Sequence, residues 1–84
     1  MTRKLIGRYI VADTEICHGK LTFIGTRIFV ADVLEQVAMG LKWDDISADW
    51  GGKVGKEAIA EAVLLAKRAL VDHADNYALE PASA

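Results

Sequence analysis

The amino-acid sequence predicts a mainly α domain with a short β-hairpin element in front, and three observations carry that prediction. The first third is rich in β-branched and turn residues, the apolar spacing changes to a helical period at Val30, and glycines stand where the helical patterns stop. Eighty-four residues at 9.1 kDa amount to one domain over residues 1–84, because the chain is too short for two independent cores. Thirteen of the apolar residues are Ala, so the set of larger core side chains is modest and burial is more complete if the chain oligomerises.

The β element is expected over residues 9–30. Tyr9-Ile10-Val11, Leu21-Thr22-Phe23-Ile24 and Arg27-Ile28-Phe29-Val30 read as short strands, separated by Gly19, Gly25 and polar positions. Leu21, Phe23 and Ile24 do not alternate strictly, so the hairpins are expected to be irregular. An isolated hairpin is marginal in water and must pack on helices or on a second copy.

A trihelical region is expected over residues 30–76. Val30, Val33, Leu34, Val37 and Ala38 fall at i, i+3, i+4, i+7 and i+8, one apolar stripe with Asp32, Glu35 and Gln36 facing outward. Gly40 stands where a left-handed cap residue is wanted, and Leu41 supplies the accompanying apolar contact. A second helix, Trp43 to Trp50, turns Ile46 and Trp50 inward and places Asp44 and Asp45 in its first turn, where the helix dipole favours negative charge. Gly51-Gly52-Lys53-Val54-Gly55 then breaks the chain.

The last helix is expected from Lys56 to Asn76, with an inner stripe of Ile59, Val63, Ala66 and Leu70, and with Ala62 and Ala69 permitting close approach. Leu64, Leu65 and Val71 widen the stripe past one face, as expected of a helix with two surfaces to pack against. Residues 77–84, with Pro81 and small side chains, read as a flexible tail.

The formal net charge of −2 conceals an uneven distribution. Residues 1–28 carry five basic residues against two acids, whereas the rest carries five basic residues against ten acids. A basic front and an acidic back imply different partners, or a surface that pairs with itself. No apolar run approaches the roughly 20 residues of a spanning helix, and charges interrupt the first residues where a signal peptide would be continuous. A soluble cytoplasmic protein without membrane contact is expected.

Enzymatic chemistry and metal binding are not expected. One cysteine forms no disulfide within the chain, and two histidines with one thiol supply no repeated ligand spacing, so neither a metal nor a cofactor is expected. Cys17 and His18, adjacent on an extended chain, would point to opposite faces, which makes Cys17 a small packing residue and His18 a turn residue. His73 reads as a surface or capping residue late in the long helix. Asp44 and Asp45 diverge as helix neighbours, and Glu57 and Glu61 read as a like-charge i, i+4 pair on a solvated face. Phosphate-loop, dinucleotide and nucleophile-elbow motifs are absent from the sequence.

The segment hardest to explain as packing is Gly19-Lys20-Leu21-Thr22-Phe23-Ile24-Gly25-Thr26-Arg27-Ile28. Glycine permits positive φ, Thr bonds its own backbone at a turn, and Arg anchors a carboxylate, phosphate or carbonyl through its fork. Arg27 reads equally as a tie to a helix carboxylate such as Asp32 and as a binding residue.

Gly19-Lys20, Gly25-Thr26-Arg27-Ile28 with Val30, Val33-Leu34, Gly40, Ile46 and Asp49-Trp50 together resemble the domain-of-unknown-function family 433 over residues 9 to 71. The resemblance implies a homeodomain-like trihelical fold behind a small β element. It also implies an antitoxin of the VapB type, paired with a PIN-like ribonuclease toxin. The chain departs from the family pattern at Leu21 and Phe29, where proline is usual, at Lys42 in place of a Ser/Thr cap, and at Gly51 in place of another proline. Lys42 forgoes a side-chain acceptor worth around 1 kcal/mol.

Two functional expectations follow. In a dimeric autoregulator, the second and third helices form a helix-turn-helix on promoter DNA, with Lys53 and Lys56 at the reading helix and Arg3, Lys4 and Arg8 as an N-terminal arm. Glu57 and Glu61 oppose this by facing the phosphates. In a protein-binding module, Arg27, Phe29, Trp43 and Arg68 contact a partner such as the ribonuclease. The alternative to both is a homo-oligomeric scaffold without DNA binding, and in every case a homodimer is expected.

Overall fold

The structure is a computed structural model that describes residues 2–79. Strands β1 (Arg3–Ile6), β2 (Ile10–Asp13) and β3 (Leu21–Phe23) precede helices α1 (Val30–Ala38), α2 (Trp43–Asp49) and α3 (Lys56–Asp72). The strands form one antiparallel sheet in the order β1-β2-β3, with Ile6 opposite Ile10 and Ile10 opposite Phe23.

The sheet differs from the expected element at both ends. It begins at Arg3 instead of residue 9, because Arg3-Lys4-Leu5-Ile6 forms an edge strand whose order comes from its ladder with β2. Charged residues are the usual occupants of such an edge, so the segment carries no β signal of its own. At the other end, Arg27–Val30 is not a strand. The Phe23 N–H donates to the Ile28 carbonyl and Thr22 bridges Phe29, after which the chain enters α1 at Val30.

Helix ends follow the glycines. Past α1, Gly40 adopts φ +83°, its N–H donates to the Val37 carbonyl, and the Leu41 N–H donates to the Gln36 carbonyl at 3.3 Å. These two bonds define a Schellman motif. The same pair recurs after α2, where the Gly51 and Gly52 N–H groups donate to the Ala48 and Ser47 carbonyls. Helix α3 stops at Asp72 and not at residue 76; His73 leaves helical geometry at φ −125° and a 3₁₀ turn covers Ala74–Tyr77. Asp72, His73, Asp75 and Asn76 are all weak helix formers, which accounts for the earlier stop. The expected tail overlaps that turn at Tyr77, and residues 80–84 lie outside the described residues.

One core joins the sheet to the helices. Ile10 and Phe23 meet Val30 and Val33 of α1, Ile46 of α2, Val54 of the connecting loop, and Ala58, Ile59 and Ala62 of α3. Each helix contacts the other two. The expected α3 stripe is buried only in its first half: Leu65 is half-buried, whereas Ala66, Ala69 and Leu70 are exposed. Gln36, expected to face outward, is half-buried, because its Oε1 accepts from Trp50 Nε1 at 2.7 Å while its Nε2 donates to Asp49 Oδ2 at 3.2 Å. That bridge ties α1 to the end of α2.

Candidate functional site

The β1–β2 turn lies on α3 through one carboxylate. Glu61 accepts the backbone N–H of Arg8 at 2.8 Å and of Tyr9 at 2.7 Å, one on each oxygen. Gly7 adopts φ +71°, and a Cβ there would stand 2.7 Å from the Glu61 carboxyl carbon. The positive φ favours glycine there, and a Cβ would displace the Glu61 carboxylate from the turn. Glu61 is not the solvated residue expected from its spacing to Glu57. It holds the hairpin to the helix through charge-assisted bonds, which are stronger than neutral ones.

This docking brings Arg8 beside Lys53. Both line a cleft of about 290 Å³ with Tyr9, Phe23, Ile24 and Glu57. The Arg8 guanidinium lies 5.8 Å from the Tyr9 ring centroid, within cation–π range. The remaining residues expected to touch DNA are elsewhere engaged or placed. Lys56 pairs with Asp44 at 3.0 Å, an exposed bridge. Arg3 and Lys4 belong to the β1–β2 ladder, so they do not form a free N-terminal arm.

The Gly25-Thr26-Arg27-Ile28 segment divides by role. Gly25 adopts φ +76°. The Thr26 hydroxyl donates to the Phe23 carbonyl at 2.8 Å and accepts the Ile28 N–H at 3.0 Å. Those two residues build the turn from β3 into α1. Arg27 is exposed and, among the described residues, forms no ion pair; the expected tie to Asp32 is not made. Phe29 is half-buried at the N-cap of α1, with Lys20 Nζ 5.8 Å from its ring centroid. Lys42 caps α2 without a side-chain hydrogen bond, as its chemistry requires.

Of the two other residues expected to touch a partner, Trp43 is exposed at the start of α2. Arg68 lies on the outward side of α3, where it lines a shallow groove of about 310 Å³ with Leu64, Lys67, Val71 and Asp72. Leu64 and Val71 there are 61% and 67% exposed. Trp43, Arg27 and Arg68 are thus all accessible but do not converge on one pocket. Cys17 and His18 are not extended: both take positive φ, 51° and 59°, in a left-handed turn completed by Gly19. Among the described residues no group of three His, Cys, Asp or Glu side chains is placed to hold a metal ion, and no helix is long and apolar enough to cross a membrane.

Two features escaped the sequence reading. The Glu61 cradle depends on contacts more than 50 residues apart, for which no local signal exists. The exposure of the second half of α3 depends on what lies opposite it, which periodicity does not encode.

A three-stranded antiparallel sheet docked by a carboxylate on the last of three helices, with a glycine-threonine turn feeding the first helix, defines a small α-and-β domain. The chain belongs to the family described as protein of unknown function DUF433, whose model matches residues 10–65. The match runs from β2 to Leu65 of α3 and includes every buried residue of the core. Neither the curated proteins nor the solved structures contain a significant match.

Proposed function

We propose that this chain is the antitoxin of a toxin–antitoxin pair, a dimeric cytoplasmic module that occupies a PIN-like ribonuclease through the outward face of α3. The antitoxin class follows from the family resemblance, and the three helices are read as homeodomain-like on the same ground. The observation that carries the protein-binding part is the outward strip of α3, where Leu64 and Val71 stand exposed with Lys67 and Arg68 beside them. Aliphatic side chains flanked by cations suit the acidic surface of a metal-dependent nuclease, and Arg is a favoured interface anchor. The experiment is co-expression with the ribonuclease of the neighbouring reading frame. Co-purification and relief of its toxicity are expected, with both weakened by Arg68→Glu. A purified chain that neither binds nor inhibits that ribonuclease refutes the reading.

A second reading, autoregulatory DNA binding, is favoured by the cleft that joins Arg8 to Lys53 ahead of α3. Glu57 in the same cleft and the Lys56–Asp44 pair reduce the free positive charge, so binding is expected to be weak and strongly salt-dependent. Titration of promoter fragments at low salt, with Arg8→Ala and Lys53→Ala for comparison, tests it.

A further inference from the structure

The inward side of the same helix half carries a different surface. Past Leu65, α3 leaves the body of the molecule, and between it and the sheet runs an apolar groove of about 260 Å³. Ile6, Ile10 and Leu21 form one wall, and Leu65, Ala66 and Ala69 the other. We propose that this groove seats the overhanging half of α3 from a second copy of the chain, giving a two-fold dimer. The proposal deepens the homodimer part of the reading above, and it shares Asp72 with the outward strip assigned to the ribonuclease.

Four observations select a second copy. First, apolar side chains stand uncovered around the groove: Leu21 is 42% and Leu70 54% exposed.

Second, the groove and its occupant are on the same chain, as an isologous interface requires: each copy offers one groove and one overhanging helix. Third, Ala62, Ala66 and Ala69 recur at i, i+4 and i+7 along the groove, and small side chains at that spacing let a second helix approach closely.

Fourth, the charges at the two ends are complementary. Lys4 shares the sheet face of Ile6 by strand alternation, and α3 ends in Asp72 with Asp75 in the turn beyond. Among the described residues none of these three forms an ion pair within the chain. A β1 rich in cations beside a groove, and an acidic helix end to enter it, give a surface that pairs with itself.

Light scattering on the full chain across a dilution series tests this. The expected result is a mass twice the 9.1 kDa of the chain. Ala69→Arg should weaken self-association by roughly ten-fold or more, since it buries an unpaired charge in the seam. Ala69 is exposed in the single chain, so the variant should keep its helical circular dichroism. Lys4→Glu should also weaken the dimer, and combination with Asp72→Lys should restore it.

A wild-type chain that stays monomeric throughout overturns the proposal, whether or not it binds the ribonuclease. A dimer unmoved by Ala69→Arg and by Lys4→Glu overturns it as well, by placing the interface elsewhere. If Ala69→Arg abolishes ribonuclease capture while the wild type is monomeric, the groove belongs to the ribonuclease.

Discussion

The two halves of α3 carry the same kind of sequence and have different fates. From Lys56 to Leu65 the inward positions Ala58, Ile59 and Ala62 are buried against the sheet, α1 and α2. From Ala66 to Asp72 the stripe continues with Ala66, Ala69 and Leu70, and none of them is covered. A helical period states which face of a helix is apolar. Whether anything stands opposite that face depends on the lengths and directions of other elements, and here the sheet diverges from the helix to leave a groove.

The largest effect that sharpens this contrast comes from truncating one residue in each half. Ile59 is fully buried, and Ile59→Ala should cost about 2–5 kcal/mol in urea unfolding, from lost transfer energy plus the cavity left behind. Leu70 is 54% exposed in the single chain, and Leu70→Ala in dilute solution should cost about 0.5 kcal/mol or less. At high concentration the second variant should become more costly while the first stays constant. Equal costs at every concentration would mean that the helix halves are covered alike.

A smaller contrast lies between two glutamates one turn apart. Glu61→Ala strands the N–H groups of Arg8 and Tyr9 and should cost about 2 kcal/mol, whereas Glu57→Ala should stay within about 0.5 kcal/mol of wild type. Gly7→Ala should approach the Glu61 loss, because the added Cβ meets that carboxylate and the residue must hold positive φ. Hydrogen exchange at Arg8 and Tyr9 would locate the damage in the hairpin in both cases.

The smallest expected change is a gain. His18 sits at φ 59°, a conformation that costs an L-residue roughly 1 kcal/mol, so His18→Gly should stabilise by up to about that amount in the same unfolding assay. No gain would mean that His18 makes a compensating contact.

Much of the fold was legible because its signals are local. The start of α1 at Val30, the left-handed Gly40, the start of α2 at Trp43 and of α3 at Lys56 follow from apolar spacing and from glycine, both read within a few residues. The turn chemistry of Gly25 and Thr26 was legible for the same reason. Strand β1 was not, since a charged edge strand is ordered by its neighbour and its four residues have no distinctive pattern. Of the residues expected to bind DNA, the fold unites Arg8 with Lys53, draws Lys56 to Asp44, and fixes Arg3 and Lys4 in the sheet. Charge counting finds cations, but their pairing is a matter of distance.

By itself the sequence determined where the three helices begin, that glycines stop the first two, which faces are apolar, and that the front of the chain is basic and the back acidic. Those properties rest on backbone sterics and composition, which neighbouring residues decide. Only the tertiary structure decided that Glu61 holds the hairpin turn, that Gly7 lies against that carboxylate, and that the second half of α3 stands free beside an apolar groove. Each of these is a relation between residues distant in the chain, and its energy exists only once folding has brought the two sides within contact of one another.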